Sequence, residues 1–143
     1  MKPNPPTSHE EKYLLGIPEI DAQHAELSDL AVKLKEIVAS KNQRHLIHPV
    51  LRRLYHLLSQ HFTSEEALME MVAYANLPLH RKTHRGLLKM LSDCIDKPIA
   101  PGDFEYFGRL IGDKILNHIM EHDVKLIAMV REKLPALPTG AVS

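Results

Sequence analysis

The fold is decided by residues 47–72, which read IHPVLRRLYHLLSQHFTSEEALMEMV. Apolar side chains recur there every three or four positions, and the series takes in one histidine and one glutamate: Ile47, Leu51, Leu54, Leu58, His61, Glu65, Leu68 and Val72. An α-helix turns about 100° per residue, so these side chains share one face. Ionisable groups are rarely buried unless they are paired or bound to a metal. The stretch therefore predicts a core-facing helix that carries two ligating groups inward.

Two neighbouring stretches repeat this pattern. One comprises Ile20, His24, Leu27, Ala31, Leu34 and Val38, and the other comprises Leu77, His80, His84, Leu87, Leu91 and Ile95. A spacing of four, as between His80 and His84, places two side chains about 40° apart on a helix. A further histidine and carboxylate, His118 and Asp123, occur near the end of the chain. We therefore predict an all-α protein, a four-helix bundle with ligating side chains in its core.

Prolines and polar residues mark the first helix boundaries. Pro18 is expected to open the first helix, which runs to about Ser40, and residues 41–44 form a polar connection. Pro49 falls in the first turn of the second helix, where proline is tolerated. Asn76 and the following proline begin the third helix.

The remaining boundary signals define the domain. A loop at 97–103 precedes the last helix, with Asp103 as its predicted N-cap and an end near Leu134. We expect one domain over residues 1–143, with an irregular N-terminal arm at 1–17, the bundle at about 18–134 and a tail at 135–143.

Composition excludes several classes of protein. The chain has 143 residues, enough for a sizeable core, and its 18 Lys and Arg balance its 18 Asp and Glu, so no net field draws it to nucleic acid. No signal region opens the sequence, and no stretch approaches the roughly 20 apolar residues of a membrane span. Cys94 is the only cysteine, which suits a reducing compartment and a packing role. We expect a cytoplasmic, soluble protein.

Seven side chains form the candidate metal-ligand set: His24, His61, Glu65, His80, His84, His118 and Asp123. A structural zinc takes four ligands and a catalytic zinc takes three and a water, so seven are too many for one such ion. If both carboxylates bridge two ions and a hydroxide bridges them as well, these ligands fill eleven of the twelve positions of two octahedral ions. One coordination position would then be vacant.

The ligand types favour iron or manganese. Mixed imidazole and carboxylate ligation suits iron or manganese better than copper or zinc. Carboxylate-rich di-iron sites favour high-valent oxygen chemistry, whereas the five neutral imidazoles here make the site less negative. This balance favours the diferrous state and reversible binding.

Longer segments around the ligands carry a family resemblance. They are YLLGIPEIDAQH at 13–24, HFTSEEALM at 61–69, Tyr74, His80, His84, His118 with Ile119, and Asp123. This set resembles the bacterial hemerythrins, with all seven ligand positions of the family pattern filled. Because the related myohemerythrin is an up-down-up-down bundle, the resemblance implies that antiparallel topology.

The resemblance also implies the cofactor, two non-haem iron ions with carboxylate and oxo or hydroxo bridges, and a role for each ligand. His80, His84 and His118 would hold one iron, His24 and His61 the other, and Glu65 and Asp123 would bridge them. Dioxygen would bind at the vacant position. The side chains expected to line this oxygen pocket are apolar: Leu27, Leu58, Phe62, Ile115 and Leu116.

The chain departs from the family pattern only outside the ligand set. His9, Ala75, Leu87, Lys114 and Leu126 stand where the family often has Trp, Pro, Phe, Trp and Tyr. These positions concern the shape of the pocket and the access to it.

Other polar residues have simpler interpretations. His122 lies four residues after His118 and is an alternative ligand, but only Asp123 supplies the carboxylate that a bridge needs. Asp21, three residues before His24, is interpreted as a helix-start residue. Four more histidines are expected at the surface or the bundle end: His9, His45, His48 and His56.

Reversible binding of dioxygen for carriage, storage or delivery is the function that these observations favour. An enzyme acting on peroxide or nitric oxide would need a proton donor over the open position, and a metal store would need an acidic entry path; neither is evident. An oxygen or redox sensor is a further alternative, disfavoured because no signalling domain is attached. The recipient is open and could be an oxygen-accepting protein or a second copy of the chain.

The last helix contains a change of register. His118 and Asp123 are five residues apart, about 140° and ~7.5 Å in a regular α-helix. One apolar series leads to His118 (Phe104, Phe107, Ile111, Ile115), and another, shifted by one residue, leads away from Asp123 (Ile127, Val130, Leu134). This predicts a π-bulge between residues 118 and 123. Leu116, Met120 and Asp123 also form a continuous series, which is the alternative.

Overall fold

A computed structural model describes residues 17–97 and 99–133. These residues form four helices and no strand: α1 (Pro18–Ala39), α2 (Ile47–Met71), α3 (Leu77–Asp96) and α4 (residues 104–133). The predicted all-α four-helix bundle is confirmed. Most of the predicted arm at 1–17, including His9, and the predicted tail at 135–143 lie outside the described residues, as does Leu134.

The helices pack in a closed ring. Each helix contacts the next one along the chain, and α4 returns to pack along α1. Short connections between consecutive neighbours give the up-down-up-down order. Two glycines permit the closest approach: a Cβ on Gly108 would collide with Val38 Cγ1, and one on Gly112 would lie 3.2 Å from the Ala31 carbonyl oxygen. Any larger side chain at Gly108 would push α4 away from α1.

The core consists of two apolar clusters, a large one and a smaller one formed by Met69, Val72, Leu126 and Val130. On α2, Glu65 falls between Phe62 of the large cluster and Met69 of the smaller one. On α4, Asp123 likewise falls between members of the two clusters. The predicted ligands are thus enclosed by apolar packing on both sides along the bundle axis.

The helix boundaries follow the sequence signals, with one exception. Pro18 is the first residue of α1, Asn76 precedes α3, and the polar connection between α1 and α2 is a 3₁₀ helix, Lys41–Leu46. Asp103 occupies the predicted N-cap position of α4, but its side chain makes no capping hydrogen bond. Asp103 ends a 3₁₀ turn with φ −100° and ψ −9°, whereas capping side chains usually act from extended backbone.

The predicted π-bulge is confirmed. In α4, two α-helical segments, Phe104–His118 and Val124–Lys133, are joined by a π-helical turn, Ile119–Asp123. The wider turn brings Asp123 to the core face that His118 already occupies, and both are buried. Met120 is 45% exposed, so the alternative series through it is wrong.

Within residues 17–97 and 99–133, no helical segment combines the length and the apolar character of a membrane span.

Candidate metal centre

All four helices bring ligating side chains to one place in the core. The six that meet there are at most 4% exposed: His24 from α1, His61 and Glu65 from α2, His84 from α3, and His118 and Asp123 from α4. Their donor atoms fall into two groups in which all members lie within 4.8 Å of one another. We call these the His24 group (His24, His61, Glu65, Asp123) and the His84 group (Glu65, His84, His118).

Asp123 organises the His24 group. Its Oδ2 atom lies 2.9 Å from His24 Nε2 and 2.8 Å from His61 Nε2. Glu65 Oε1 also contacts His61 Nε2. One oxygen from each carboxylate therefore faces this pair of imidazoles.

The second oxygen of each carboxylate faces the His84 group. Glu65 Oε2 lies 3.4 Å from His84 Nε2 and 3.7 Å from His118 Nε2, and Asp123 Oδ1 lies 3.2 Å from His118 Nε2. The Nε2 atoms of His84 and His118 are 3.2 Å apart. Each carboxylate thus spans two histidine pairs, which is the arrangement that two carboxylate-bridged ions require.

The donor set fits a pair of metal ions. Three carboxylate oxygens, Glu65 Oε1, Glu65 Oε2 and Asp123 Oδ1, are buried and accept no hydrogen bond, although histidine nitrogens lie close to them. Such groups are costly in a core unless a cation satisfies them. The ligating atoms are imidazole nitrogens and carboxylate oxygens without sulfur, a combination suited to iron or manganese.

Hydrogen bonds outside the centre fix two of the imidazoles. His61 Nδ1 donates to Gln23 Oε1 at 2.9 Å, and His84 Nδ1 donates to Glu66 Oε2 at 3.1 Å. With Nδ1 used by this outer hydrogen bond, Nε2 is the nitrogen of each ring that faces inward and can bind a metal. Sequence reasoning missed Gln23 and Glu66 because they lie beside the core-facing series and act across helices, where no spacing rule reveals them.

In the metal-free centre, opposite charges stabilise one another. Burial opposes protonation of His61, but Glu65 and Asp123 outweigh it and raise its pKa to about 10. Burial is likewise outweighed at His118, whose pKa these carboxylates raise to about 9. Burial acts to raise the pKa of Glu65, but His61, His118 and His84 hold it well below its usual value. The two carboxylates therefore favour positive charge beside them in the core, which a bound cation would also supply.

Burial also acts to raise the pKa of Asp123, as does Glu65. His118, His24 and His61 outweigh both, so the pKa of Asp123 is lowered. Both predicted bridging groups are thus carboxylates and not carboxylic acids, which is the form that binds metal.

His80 is the one predicted ligand that the structure does not bring into either group. It is 8% exposed, and its ring centroid lies 5.2 Å from Tyr74, 5.4 Å from His122 and 6.1 Å from His84. Burial lowers its pKa, and the neighbouring histidines, His122 first, lower it further. A neutral imidazole one helical turn from His84 can serve as a ligand, so its metal role stays a prediction.

The other candidate ligands lie apart from both groups. Asp21 is buried in the first turn of α1 and belongs to neither group, and His122 is exposed. His45 and His56 are exposed as expected, but His48 is half-buried, so its assignment to the surface is only partly right.

The predicted oxygen-pocket residues form an apolar environment. Leu27, Leu58, Phe62 and Ile115 are buried members of the large cluster, whereas Leu116 is half-buried against it. Phe62 stacks on the imidazole of His84, with ring centroids 3.8 Å apart and planes inclined by 2°. Their role in oxygen binding stays a prediction.

Comparison with known proteins agrees with this geometry. Residues 15–130 match the family profile described as Hemerythrin, the Hemerythrin HHE cation binding domain. The chain belongs to the hemerythrin family. The resemblance found in the sequence is therefore confirmed, and the family description includes the binding of cations, although it names neither iron nor the number of ions.

Curated relatives support the same assignment to the hemerythrin family. A bacteriohemerythrin of Campylobacter jejuni strain 81-176 is 29% identical over 123 residues, covering 80% of this chain and 87% of the relative. A bacteriohemerythrin of Methylococcus capsulatus strain Bath is 31% identical over 106 residues, covering 72% of this chain and 79% of the relative. No solved structure matched the chain significantly.

Proposed function

We propose that this member of the hemerythrin family binds dioxygen reversibly at two iron ions, in oxygen carriage, storage or delivery. The single observation that carries the proposal is the position of the two carboxylates. Glu65 and Asp123 each direct one oxygen to the His24–His61 pair and the other to the His84–His118 pair. Two ions bridged by carboxylates use such an arrangement, whereas a single ion does not.

Iron would be held by seven residues: His24, His61, Glu65, His80, His84, His118 and Asp123. Iron supplies the electrons for binding dioxygen, and this chain's residues supply orientation and exclusion of water. Only two of the seven ligands are anionic, which limits the negative charge and favours the diferrous state.

We further propose binding without catalytic turnover, because the side chains predicted to line the oxygen pocket carry no proton donor. Leu27, Leu58, Phe62 and Ile115 are buried and apolar, and none can donate a proton to reduced oxygen. Separating charge into a dry, apolar pocket is costly, so release of dioxygen in its neutral form is favoured.

A cytoplasmic location is also proposed, since Cys94 is a buried free thiol that suits a reducing compartment. Its partners would be dioxygen and either an oxygen-accepting protein or a second copy of the chain.

The direct test begins with anaerobic loading of the protein with ferrous iron. Metal analysis should give two irons per chain. Exposure to oxygen should produce a visible absorption band that disappears under vacuum and returns on re-exposure. A single tightly held zinc per chain would contradict the di-iron site, and irreversible oxidation in the first cycle would contradict reversible binding.

A further inference from the structure

One histidine of each pair hydrogen-bonds to a side chain outside the metal centre, and the two outer side chains differ in charge. The acceptor for His61 Nδ1–H is the neutral amide oxygen of Gln23, at 2.9 Å. The acceptor for His84 Nδ1–H is a carboxylate oxygen of Glu66, at 3.1 Å. Hydrogen bonds to an ionised acceptor are roughly twice as strong as those between neutral groups.

Gln23 is oriented by hydrogen bonds that carry no charge. Its Nε2 atom donates to Ser64 Oγ at 3.1 Å, and Ser64 Oγ in turn donates to the Gln60 carbonyl oxygen at 3.2 Å. These contacts keep the amide oxygen of Gln23 directed at His61. Gln23 thus holds the imidazole of His61 in place without placing a negative charge behind it.

Glu66 is oriented by an ion pair instead. Its Oε1 atom accepts a hydrogen bond from Arg81 Nε at 3.0 Å, which leaves Oε2 directed at His84. Arg81 also contacts Glu70, one turn further along α2. Because a carboxylate can only accept hydrogen bonds, His84 must donate from Nδ1, and its Nε2 lone pair faces the centre.

We propose that Glu66 is a positioning residue that strengthens the metal position beside His84 and so adds to the electronic difference between the two positions. A carboxylate behind a ligating histidine fixes its orientation and raises its basicity. His84 should therefore be a stronger donor than His61, so that the ion beside His84 is bound more tightly and its oxidised form is more strongly stabilised. The inference rests on the proposed two-metal site, but not on the binding of oxygen.

Glu66→Gln tests the proposal, because it keeps an acceptor oxygen of the same reach and removes the charge. Stepwise titration of the metal-free protein with cobalt(II) should show one affinity reduced about 10- to 100-fold and the other unchanged. The reduction potential of the iron-loaded protein should move to a more positive value. Glu70→Gln is the matched control, since Glu70 contacts the same arginine without touching His84, and it should leave both quantities at the wild-type value.

Two results would overturn the proposal. One is a Glu66→Gln protein with wild-type cobalt affinities and a wild-type potential. The other is an equal loss in Glu66→Gln and Glu70→Gln, which would assign the effect to the surface ion pairs alone.

Gln23→Glu tests the effect of an outer carboxylate at the other metal position, the one beside His61. It places a carboxylate behind His61, so it should tighten the other cobalt site and move the potential to a more negative value. No change, or a change in the opposite direction, would contradict the proposal. If Glu66→Gln weakens one cobalt site as expected but the wild-type protein fails to take up oxygen, the proposed function is rejected while the role of Glu66 stands.

Discussion

Glu65→Gln should remove the metal centre with little change in side-chain shape. Glu65 is the residue that the His24 and His84 groups share, and it is 1% exposed. An amide keeps one oxygen but replaces the other with an NH₂ group, which cannot bind a cation and which meets histidine nitrogens. Both metal positions therefore lose a ligand at once.

The magnitude follows from the linkage between metal binding and folding. A ligand that binds only the folded state stabilises it by about 4 kcal/mol at a free concentration a thousand times its dissociation constant. For a domain of this size each kcal/mol corresponds to about 2–4 °C in the melting temperature. Glu65→Gln should consequently melt roughly 8–16 °C below the wild-type protein when both are supplied with iron.

Circular dichroism melts with and without a chelator, together with iron analysis, measure this effect. The wild type should lose stability on chelation, whereas Glu65→Gln should respond weakly because it holds little metal. Glu70→Gln is a suitable control on the same helix, since Glu70 has a side chain 61% exposed, and it should retain two irons. A Glu65→Gln protein that keeps two irons and melts with the wild type would refute the bridging role.

Three further predictions concern the fold and the pocket. In the metal-free protein the pKa of folded His61 is raised from 6.5 to about 10. The charged imidazole should therefore give its full stabilisation below pH 6.5, and up to about 5 kcal/mol of the free energy of unfolding should be lost as the pH rises through 10. Urea unfolding across this pH range should show the loss, and a free energy of unfolding that does not change with pH would contradict it. Gly108→Ala should destabilise the folded protein by about 1–3 kcal/mol, because the added Cβ collides with Val38. Gly86→Ala should stabilise it by about 0.5–1 kcal/mol, because no atom lies within 4 Å of the added Cβ. Equal urea midpoints for the two variants would contradict this prediction. Leu116→Ala should admit water to the oxygen pocket and speed autoxidation of the oxygenated protein without loss of iron. An unchanged autoxidation rate would show that Leu116 does not keep water out of the pocket.

The helices and most of the metal centre were predictable because buried residues recur at helical spacing in the sequence. Each helix turns one face to the core, so apolar residues and ligands such as His24 and Glu65 recur at the same spacing. The π-helical turn was predictable for the same reason: the five-residue step from His118 to Asp123 and the shifted apolar series could not share one face in a regular helix.

Contacts between side chains on different helices produce no regular spacing in the sequence. Gln23 and Glu66 meet histidines on α2 and α3 through side chains at the edge of the core, and no regular spacing relates the partners. The ring position of His80, beside Tyr74 and His122, likewise depends on how α3 sits against its neighbours. Asp103 lies at the N-cap position without a capping hydrogen bond because of the 3₁₀ turn before α4, which the sequence pattern did not indicate.

Oxygen titration of the ferrous-loaded, anaerobic protein is the most direct test of the central claim. Gas uptake and the visible spectrum would be followed together through repeated cycles of oxygen and vacuum. We expect uptake of one dioxygen per pair of irons, with the absorption band lost under vacuum and restored on each return of oxygen. Continuous oxygen consumption, or permanent oxidation of the iron without a reversible band, would contradict it.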